Sequence, residues 1–290
     1  MSSKPLRNKS RGGLVRRGRT LVWGERTYLM GIVNASPDSF SGDGQADAHG
    51  AAGVAAAQVA AGADLVDVGA ESTRPGHTPI DDALERERLL PAVRAIRARL
   101  PDTVVSIDTF KPSIFRAAVA AGGDVLNAIW GADEALLRVA AECGAPVILM
   151  HNKRVAIYER SVVDEVLFTL ERDAAAAVRA GISEDEVLLD PGIGFGKTPE
   201  DNLAILVALP RIVALGFPTV VGTSRKSTIG ALTGKAVSDR AFGTAATVAL
   251  AAAAGIDVVR VHDVAEMRDV VRVADAILRG WRPDGWSGPA

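Results

Sequence analysis

The sequence has few cysteines, histidines and aromatic residues, and it has no long hydrophobic run. Its single cysteine, Cys143, excludes an internal disulfide framework and a cysteine-based zinc site. No second histidine stands at ligand spacing from His262, which argues against a transition-metal site. No apolar run approaches the roughly 18 residues that span a bilayer, and no signal-peptide segment is visible. We therefore expect a cytoplasmic protein without a membrane partner.

Acidic residues are absent from the first 20 positions, which carry seven lysines and arginines. Taking these seven from the 33 basic residues leaves 26 against 35 acidic residues in the rest of the chain. A basic segment of this kind can contact nucleic acid or anionic lipid, but no aromatic residue stands among its charges to stack on bases. We predict that residues 1–20 form a disordered, solvated tail outside the fold, with no nucleic acid as partner.

The rest of the sequence repeats one unit, a short apolar run followed by a segment of helical composition. The chain has 290 residues, of which 48% are hydrophobic, so it can bury a sizeable core. The runs are nearly continuous in apolar residues, as is typical of parallel strands that are covered on both faces. They lie at residues 27–33, 65–70, 103–109, 124–130, 146–151, 186–190, 218–224 and 257–263.

The segments between these runs have features of helix ends. Pro112 and Pro199 stand where helices begin, and glycines follow several segments at the position of a C-terminal cap. The segments span residues 46–61, 82–100, 111–121, 133–143, 164–180, 199–209, 239–254 and 264–279. Eight strand–helix units in about 250 residues predict a single-domain α/β fold, a (β/α)8 TIM barrel over residues 21–290. A doubly wound sheet is the alternative, but the GxGxxG that usually follows its first strand is absent.

Polar residues stand at the end of every predicted strand. In a barrel the catalytic groups lie at the C-terminal ends of the strands, so the shared placement predicts one polar site, although any one residue alone can be a turn or cap residue. The positions are Asn34, residues 71–74, Asp108, Thr109, Asn127, His151, Asn152, Asp190, residues 224–227, Arg260, His262 and Asp263.

Cationic residues of this set follow the last two strands. Lys226, Arg260 and His262 stand where barrels commonly hold phosphate, which predicts an anionic substrate. Asn34, after the first strand, can support a Mg²⁺ that is held mainly by phosphate oxygens and water.

Carboxylates and amides indicate a second kind of contact. Asp190 opens a glycine-rich turn, and with Asn152 it presents acceptors that suit a planar heterocycle bearing an amino group and ring N–H donors. Asp108 can join this site or pair with one of the cations. Phe195 and Pro75 can form an apolar wall for a second, aromatic substrate.

Seven segments together resemble dihydropteroate synthase, and the match runs in order from about residue 27 to residue 280. The resemblance implies a transferase of folate biosynthesis and a sulfonamide target. It would join 7,8-dihydropterin-6-ylmethyl diphosphate to 4-aminobenzoate, giving 7,8-dihydropteroate and pyrophosphate. The segments are MGIVNASPDSFS (30–41), ESTRPG (71–76), SIDT (106–109), LMHN (149–152), DPGIGFGK (190–197), GTSRKS (222–227) and RVHD (260–263).

The resemblance also implies a mechanism and roles at matching positions. Pyrophosphate departs first, and the arylamine attacks a pterin-stabilised methylene cation. The family is generally dimeric, so a homodimer is expected, with Mg²⁺ as cofactor near Asn34. The pterin would be held by Asp108, Asn127, Asn152, Asp190 and Lys226; the pyrophosphate by Asn34, Arg260 and His262; and the aminobenzoate by Thr73, Arg74, Pro75, Phe195 and Ser227. Catalysis would rest on Lys226, Asp190, Asp108, Arg260 and His262.

Two positions depart from the family pattern. Ala128 follows Asn127 where the family usually has an acid that hydrogen-bonds the pterin, and losing one charged hydrogen bond costs roughly 1.5–3 kcal/mol. Asp43 lies one residue later in the first loop than the family's aspartate. The alternatives are a weakly active or inactive paralogue that still binds pterin, or a pterin-dependent methyltransferase with a corrinoid partner. If the missing acid matters, Ala128→Asp is expected to raise activity.

Overall fold

The computed structural model describes residues 12–36, 48–71, 80–283 and 285–287. Two strands precede the predicted first strand, and the eight predicted strands then follow in order. They are β1 (Gly13–Arg16), β2 (Arg19–Val22), β3 (Tyr28–Asn34), β4 (Leu65–Gly69), β5 (Val104–Asp108), β6 (Val125–Ala128), β7 (Val147–Met150), β8 (Val187–Asp190), β9 (Val220–Val221) and β10 (Val258–Val261).

The last eight strands form one parallel sheet. Their spatial order is β8-β7-β6-β5-β4-β3-β10-β9, so the strands from β3 to β8 lie side by side in the order of the chain. A parallel bridge between Leu189 and Thr219 links the two ends of this order, β8 and the residue before β9. The sheet therefore curves into a nearly closed barrel, and the predicted (β/α)8 architecture is confirmed.

Helices lie between the strands at every predicted position. They are α1 (Ala48–Ala61), α2 (Asp82–Arg99), α3 (Pro112–Ala121), α4 (Glu134–Glu142), α5 (Val162–Arg179), α6 (Pro199–Val207), α7 (Leu209–Val213), α8 (Ser227–Thr233), α9 (Ala241–Ala254) and α10 (Val264–Leu278). The predicted caps Gly122 and Gly255 adopt left-handed φ values of 117° and 92° at the ends of α3 and α9. The short helix α8 was not predicted. Within the described ranges, no helix is long and apolar enough to cross a membrane.

The antiparallel hairpin β1–β2 corrects the predicted tail. Residues 13–20 belong to this hairpin, whose Leu14 and Leu21 side chains are buried against the N-terminal end of the barrel. Arg16 pairs with Glu186 at 2.8 Å, and Arg17 pairs with Asp124 at 2.7 Å. The prediction that these residues are disordered and outside the fold is wrong, because their cations have carboxylate partners on the barrel. Residues 1–11 lie outside the described part of the chain.

Side chains on the barrel strands alternate between the interior of the barrel and the surrounding helices. One apolar layer crosses the interior at the N-terminal end, and every barrel strand contributes to it. Residues of the opposite parity pack outward in the larger cluster beneath the helices. The interior layer, closed below by the hairpin, consists of Leu14, Leu21, Trp23, Tyr28, Met30, Leu65, Val104, Val125, Ile148, Leu188, Val220 and Val258.

Candidate active site

A polar layer lies directly above this apolar layer in the barrel interior. Asp67, Ser106, Asn127, Asp190 and Arg260 each stand two positions after a member of the apolar layer on the same strand. The period of two along a strand turns them to the same interior face. All are buried except Arg260, which is partly buried. The C-terminal end of the barrel interior is therefore polar, as the strand ends predicted.

Asp67 is the centre of this layer. The carboxylate is fully buried, and its Oδ2 accepts hydrogen bonds from Nε of Arg260 at 2.7 Å and from Nδ2 of Asn127 at 2.9 Å. Its Oδ1 is buried and has no hydrogen-bond partner among the described residues. Sequence reasoning missed Asp67 because only the strand ends were considered. An acid in the middle of the apolar run LVDVGA was the available signal.

Asp108 ends β5 near the same guanidinium, with its Oδ2 3.9 Å from Nη2 of Arg260. Burial and then the negative charge of Asp67 raise the pKa of Asp108 well above its ordinary value. Burial alone would lower the pKa of Arg260, but the charges of Asp67 and Asp108 outweigh it and raise that pKa. The guanidinium therefore stays charged, while Asp108 keeps its proton to a higher pH than an exposed aspartate.

Asp190 ends β8 and begins the glycine-rich loop. Its buried Oδ1 accepts the N–H of Gly192 at 2.7 Å, and burial raises the pKa of this carboxyl, opposed by that hydrogen bond and by the charge of Lys226. A Cβ on Gly192 would lie 2.0 Å from the carbonyl oxygen of His151, and φ there is +67°, so only glycine fits. Nζ of Lys226 lies 4.1 Å from the centroid of the Phe195 ring.

The loops after β9 and β10 contact one another beside these groups. Oγ of Ser224 lies 2.9 Å from Nδ1 of His262 and accepts the backbone N–H of His262 at 3.1 Å. Arg225 and Asp263 form a two-point ion pair. Arg225 has φ of +58°, a strained conformation for a residue with a side chain. These contacts hold His262 and the residue before Lys226 in one rigid unit.

The other predicted site residues lie around this centre or outside the described residues. Asn34 ends β3 and is partly buried. Nδ2 of Asn152 donates to the carbonyl of Ile129 at 3.1 Å, which fixes the orientation of the amide. Ser227 is exposed at the first position of α8. Residues 73–75 lie outside the described part of the chain. The binding and catalytic roles assigned to all these residues stay predictions.

The described residues do not form a metal centre made by protein ligands alone. In the described ranges, no group of three or more histidine, cysteine, aspartate or glutamate side chains could hold a metal ion. Asn34 contributes an amide oxygen at the C-terminal end of the barrel, and Mg²⁺ often uses one or two protein ligands together with phosphate oxygens and water. Asn34 therefore fits a Mg²⁺ that takes most of its ligands from phosphate oxygens and water.

The comparisons with known proteins agree with this geometry. A family model described as pterin binding enzyme matches residues 30–262. A curated dihydropteroate synthase from Bacillus subtilis (strain 168) is 40% identical over 261 residues, covering 89% of this chain and 91% of the relative. The chain belongs to the dihydropteroate synthase family. The resemblance seen in the motifs is thus confirmed.

Solved structures of dihydropteroate synthases match the whole barrel. One from Yersinia pestis in complex with a sulfonamide drug has a TM-score of 0.87 at 34% identity, covering 93% of this chain and all of that chain. One from Xanthomonas albilineans in complex with 7,8-dihydropteroate has a TM-score of 0.82 at 37% identity, covering 92% of this chain and 98% of that chain. The similarity therefore extends over the strands and loops that carry the polar layer.

Ala128, the departure from the dihydropteroate synthase motifs, does not face the polar layer. It has the parity of Leu126, is fully buried, and belongs to the outer apolar cluster, whereas Asn127 faces Asp67 in the interior. An acid at this position would lie among apolar side chains between the strand and the helices. The expectation that Ala128 loses a pterin contact is therefore wrong. Asp43 lies outside the described residues.

Proposed function

We infer that the protein catalyses the dihydropteroate synthase reaction of folate biosynthesis. It joins 7,8-dihydropterin-6-ylmethyl diphosphate to 4-aminobenzoate and releases pyrophosphate and 7,8-dihydropteroate. The observation that carries this conclusion is the polar layer at the C-terminal end of the barrel, where Asp108 and Asp190 stand close to Arg260 and Lys226. The substrates are inferred from the family to which the chain belongs.

We propose that the carboxyls and amides of the layer bind the pterin. Asp190 presents an acceptor to the amino group and ring N–H donors of the heterocycle, and the fixed amides of Asn127 and Asn152 provide further contacts. Asp108, whose pKa is raised by burial, can keep a proton and donate it to an acceptor atom of the ring. The carboxylate of Asp190 and the amide oxygen of Asn152 also stabilise positive charge that spreads over the pterin when the methylene cation forms.

Arg260, His262 and Lys226 are proposed to stabilise the departing pyrophosphate. The C–O bond to the methylene group breaks with its electron pair on the leaving oxygen, so negative charge develops where these cationic donors stand. Asp67 accepts a hydrogen bond from Nε of Arg260. Nη2 of Arg260 lies 3.9 Å from Oδ2 of Asp108. Mg²⁺, when bound near Asn34 with the diphosphate, would supply further charge neutralisation.

The arylamine then attacks the methylene carbon. The nitrogen lone pair of 4-aminobenzoate forms the new C–N bond, and the nitrogen loses a proton to complete dihydropteroate. Phe195, in contact with Lys226, is proposed as the apolar wall of this second subsite, and Ser227 and residues 73–75 as further parts of it. Lys226 thus lies between the pterin groups and the aromatic subsite.

We propose a homodimer that forms through the last helices, in the cytoplasm. Phe242 and Leu250 on α9 and Val273 and Ile277 on α10 are large apolar side chains that are between 61% and 92% exposed. The two helices also border a surface cavity of about 570 Å³ lined mostly by apolar residues. Large apolar side chains exposed on two neighbouring helices are typical of protein interfaces. Analytical ultracentrifugation of the wild type and of a Val273→Glu variant tests the dimer.

A direct assay tests the proposed reaction. Purified protein is incubated with the pterin diphosphate, 4-aminobenzoate and Mg²⁺, and release of pyrophosphate and formation of dihydropteroate are measured together. Both products are expected, and both depend on the aromatic amine. Tight pterin binding without pyrophosphate release would leave the inactive paralogue instead. Methyl transfer from a methylated pterin to a corrinoid protein, again without pyrophosphate release, would leave the methyltransferase.

A further inference from the structure

Lys197, the last residue of the glycine-rich loop at 191–197, is a basic residue that the reaction described above does not use. Its Nζ lies 2.9 Å from Nδ1 of His151. The same nitrogen donates to the carbonyl of Phe195 at 3.0 Å and to the carbonyl of His151 at 3.2 Å. Three polar contacts within a partly buried pocket make this lysine a structural centre of the loop.

The backbone of the loop packs on the segment that follows β7. A Cβ on Gly196 would lie 2.1 Å from the carbonyl oxygen of Lys153, so the two backbones touch at this point. The Tyr158 hydroxyl donates to the carbonyl of Gly196 at 2.5 Å. Lys197 adds the contact with His151, so side chains from both segments hold them together.

The other half of the loop is joined to the helices. The N–H of Gly194 donates to Oδ1 of Asn202 on α6 at 2.8 Å, and Nδ2 of Asn202 donates to Oγ1 of Thr228 on α8 at 3.0 Å. Lys226 stands directly before α8, and its side chain passes over Gly194, where a Cβ would lie 3.1 Å from its Cδ. The loop therefore connects the β7 segment to the residue that carries the ammonium group.

Phe195 lies between these two sets of contacts. Lys197 binds its carbonyl, and the ammonium group of Lys226 lies against its ring at 4.1 Å. A carbonyl that is held in place restricts the backbone of its residue, and with it the direction of the Cα–Cβ bond from which the ring extends. The position of the ring, and the contact that it gives Lys226, thus depend on the hydrogen bond from Lys197.

We propose that Lys197 is a positioning residue for the reaction. Together with His151, it holds the glycine-rich loop in the conformation that places the Phe195 ring against Lys226, between the proposed pterin and aminobenzoate subsites. The kinetic part of this inference rests on the proposed function. Lys197 does not touch the substrates; its effect passes through Phe195.

The pair remains hydrogen-bonded in both protonation states of the lysine. Burial lowers the pKa of Lys197 to about 7; Lys226 and Lys153 also lower it, while Asp190 and Asp201 raise it. Burial lowers the pKa of His151 to about 3, together with the charges of Lys197, Lys153 and Arg172, so the imidazole is neutral. The ammonium form donates three hydrogen bonds, to two carbonyls and Nδ1. The amine form donates two and accepts one from Nδ1–H.

This geometry predicts a change of tautomer rather than a change of charge on His151. When Lys197 loses its proton to solvent, its amine keeps only two N–H donors, so all three contacts are kept only if the ring moves its own proton from Nε2 to Nδ1. We expect ¹⁵N NMR of the imidazole to record this exchange between pH 6 and 8, and to record no exchange in Lys197→Met. An imidazolium signal in that range, or a constant tautomer in the wild type, contradicts the coupled pair.

Kinetics test the positioning role. Lys197→Met removes all three hydrogen bonds and keeps the length of the side chain. Arg154→Met, which removes an exposed cation from the same segment without touching these carbonyls, is the matched control. We expect Lys197→Met to raise the KM for 4-aminobenzoate about tenfold and to lower kcat, with a smaller change for the pterin substrate, and the control to behave as wild type.

A double-mutant cycle with Phe195→Ala separates this role from general stabilisation. If Lys197 acts through Phe195, the double variant is expected to lose no more activity than Phe195→Ala alone. Independent, multiplicative losses would overturn the proposal. Hydrogen exchange of the amides of residues 192–197 needs no turnover. Faster exchange is expected in Lys197→Met and not in Arg154→Met, and unchanged exchange in Lys197→Met would also overturn the proposal. If the wild-type protein forms no dihydropteroate, the proposed function is rejected. The hydrogen-exchange measurement still tests whether Lys197 holds the loop in place.

Discussion

The two ends of the barrel interior differ in chemistry although the same strands build them. At the N-terminal end, the interior face carries Leu, Val, Ile, Met and Tyr side chains from all eight strands. Two positions further along, five of those strands place Asp67, Ser106, Asn127, Asp190 and Arg260 on the same face. Two residues along each strand, which is one repeat of the pleat, therefore separate a layer that stabilises the fold from a layer that can bind polar groups.

Energetics differ in the same way between the two layers. Burial of the apolar layer stabilises the fold by about 25 cal/mol for each Å² of apolar surface removed from water. Burial of the polar layer is unfavourable for its carboxylates, and the raised pKa values of Asp108 and Asp190 record that cost. We expect substitutions at the lower end to change stability alone and those at the upper end to change activity. Asp67 is expected to change both.

Asp67→Ala is expected to have the largest effect. It leaves the partly buried charge of Arg260 without its 2.7 Å partner, and breaking a buried ion pair by removing one member costs about 3–5 kcal/mol, so a loss toward the lower end of this range is expected. Urea unfolding measures the loss of free energy of unfolding. Asp67→Asn keeps the shape and an acceptor oxygen and is expected to lose less. If Asp67→Ala unfolds at the same urea concentration as wild type, the polar layer does not depend on this carboxylate.

Asp190→Asn is expected to separate activity from stability. The substitution removes the charge proposed to face the pterin, and loss of one such charged contact typically lowers kcat about 10²–10³-fold. Because the pKa of Asp190 is raised in the fold, its ionised form makes the substrate-free protein less stable as the pH rises through that pKa. The Asn variant is expected to lack this dependence and to melt at or above the wild-type temperature at pH 8. Near-normal turnover would remove Asp190 from the proposed site.

Ala128→Asp tests the direction of side chains at the upper end. The motif comparison favours a gain of activity from an acid here, whereas the outward parity predicts a loss of stability. An acid among apolar side chains, in a position that is closely packed, is expected to cost about 2–3 kcal/mol in free energy of unfolding. Thermal unfolding and the kcat of the folded fraction distinguish these two expectations. An Ala128→Asp variant with a higher kcat and normal stability would support the motif comparison.

Ala128 and Asp67 show where sequence reasoning reaches its limit. The strands, their order and the polar ends followed from the apolar runs and from the rhythm of strands and helices. Which side chains face inward did not, because a shift of one residue turns a side chain to the other face, and the apolar runs have no alternation that fixes the register. Asp67 was therefore overlooked inside a run, and Ala128 was assigned to the wrong face.

The hairpin was missed for a different reason. Its basic composition indicated solvated chain, but Arg16 and Arg17 pair with acids that are 170 and 107 positions away in the sequence. Local composition contains no information about such partners. The contacts of Lys197 are hidden in the same way, because the ring of His151 stands 46 positions earlier. Long-range pairs of this kind appear only once the barrel brings the strand ends together.

Ile148→Val is expected to have the smallest effect and tests the lower end of the comparison. Ile148 is buried in the apolar layer on β7, three residues before His151, and this layer contains no charged residue. Removing one methyl group here is expected to cost about 1 kcal/mol in free energy of unfolding, within the range for such truncations. Because the cavity lies below the polar layer, kcat and both KM values are expected to match wild type in the coupled assay. A shift in either KM with this small loss of stability would show that the two layers are mechanically coupled, so the separation along the strands would not hold.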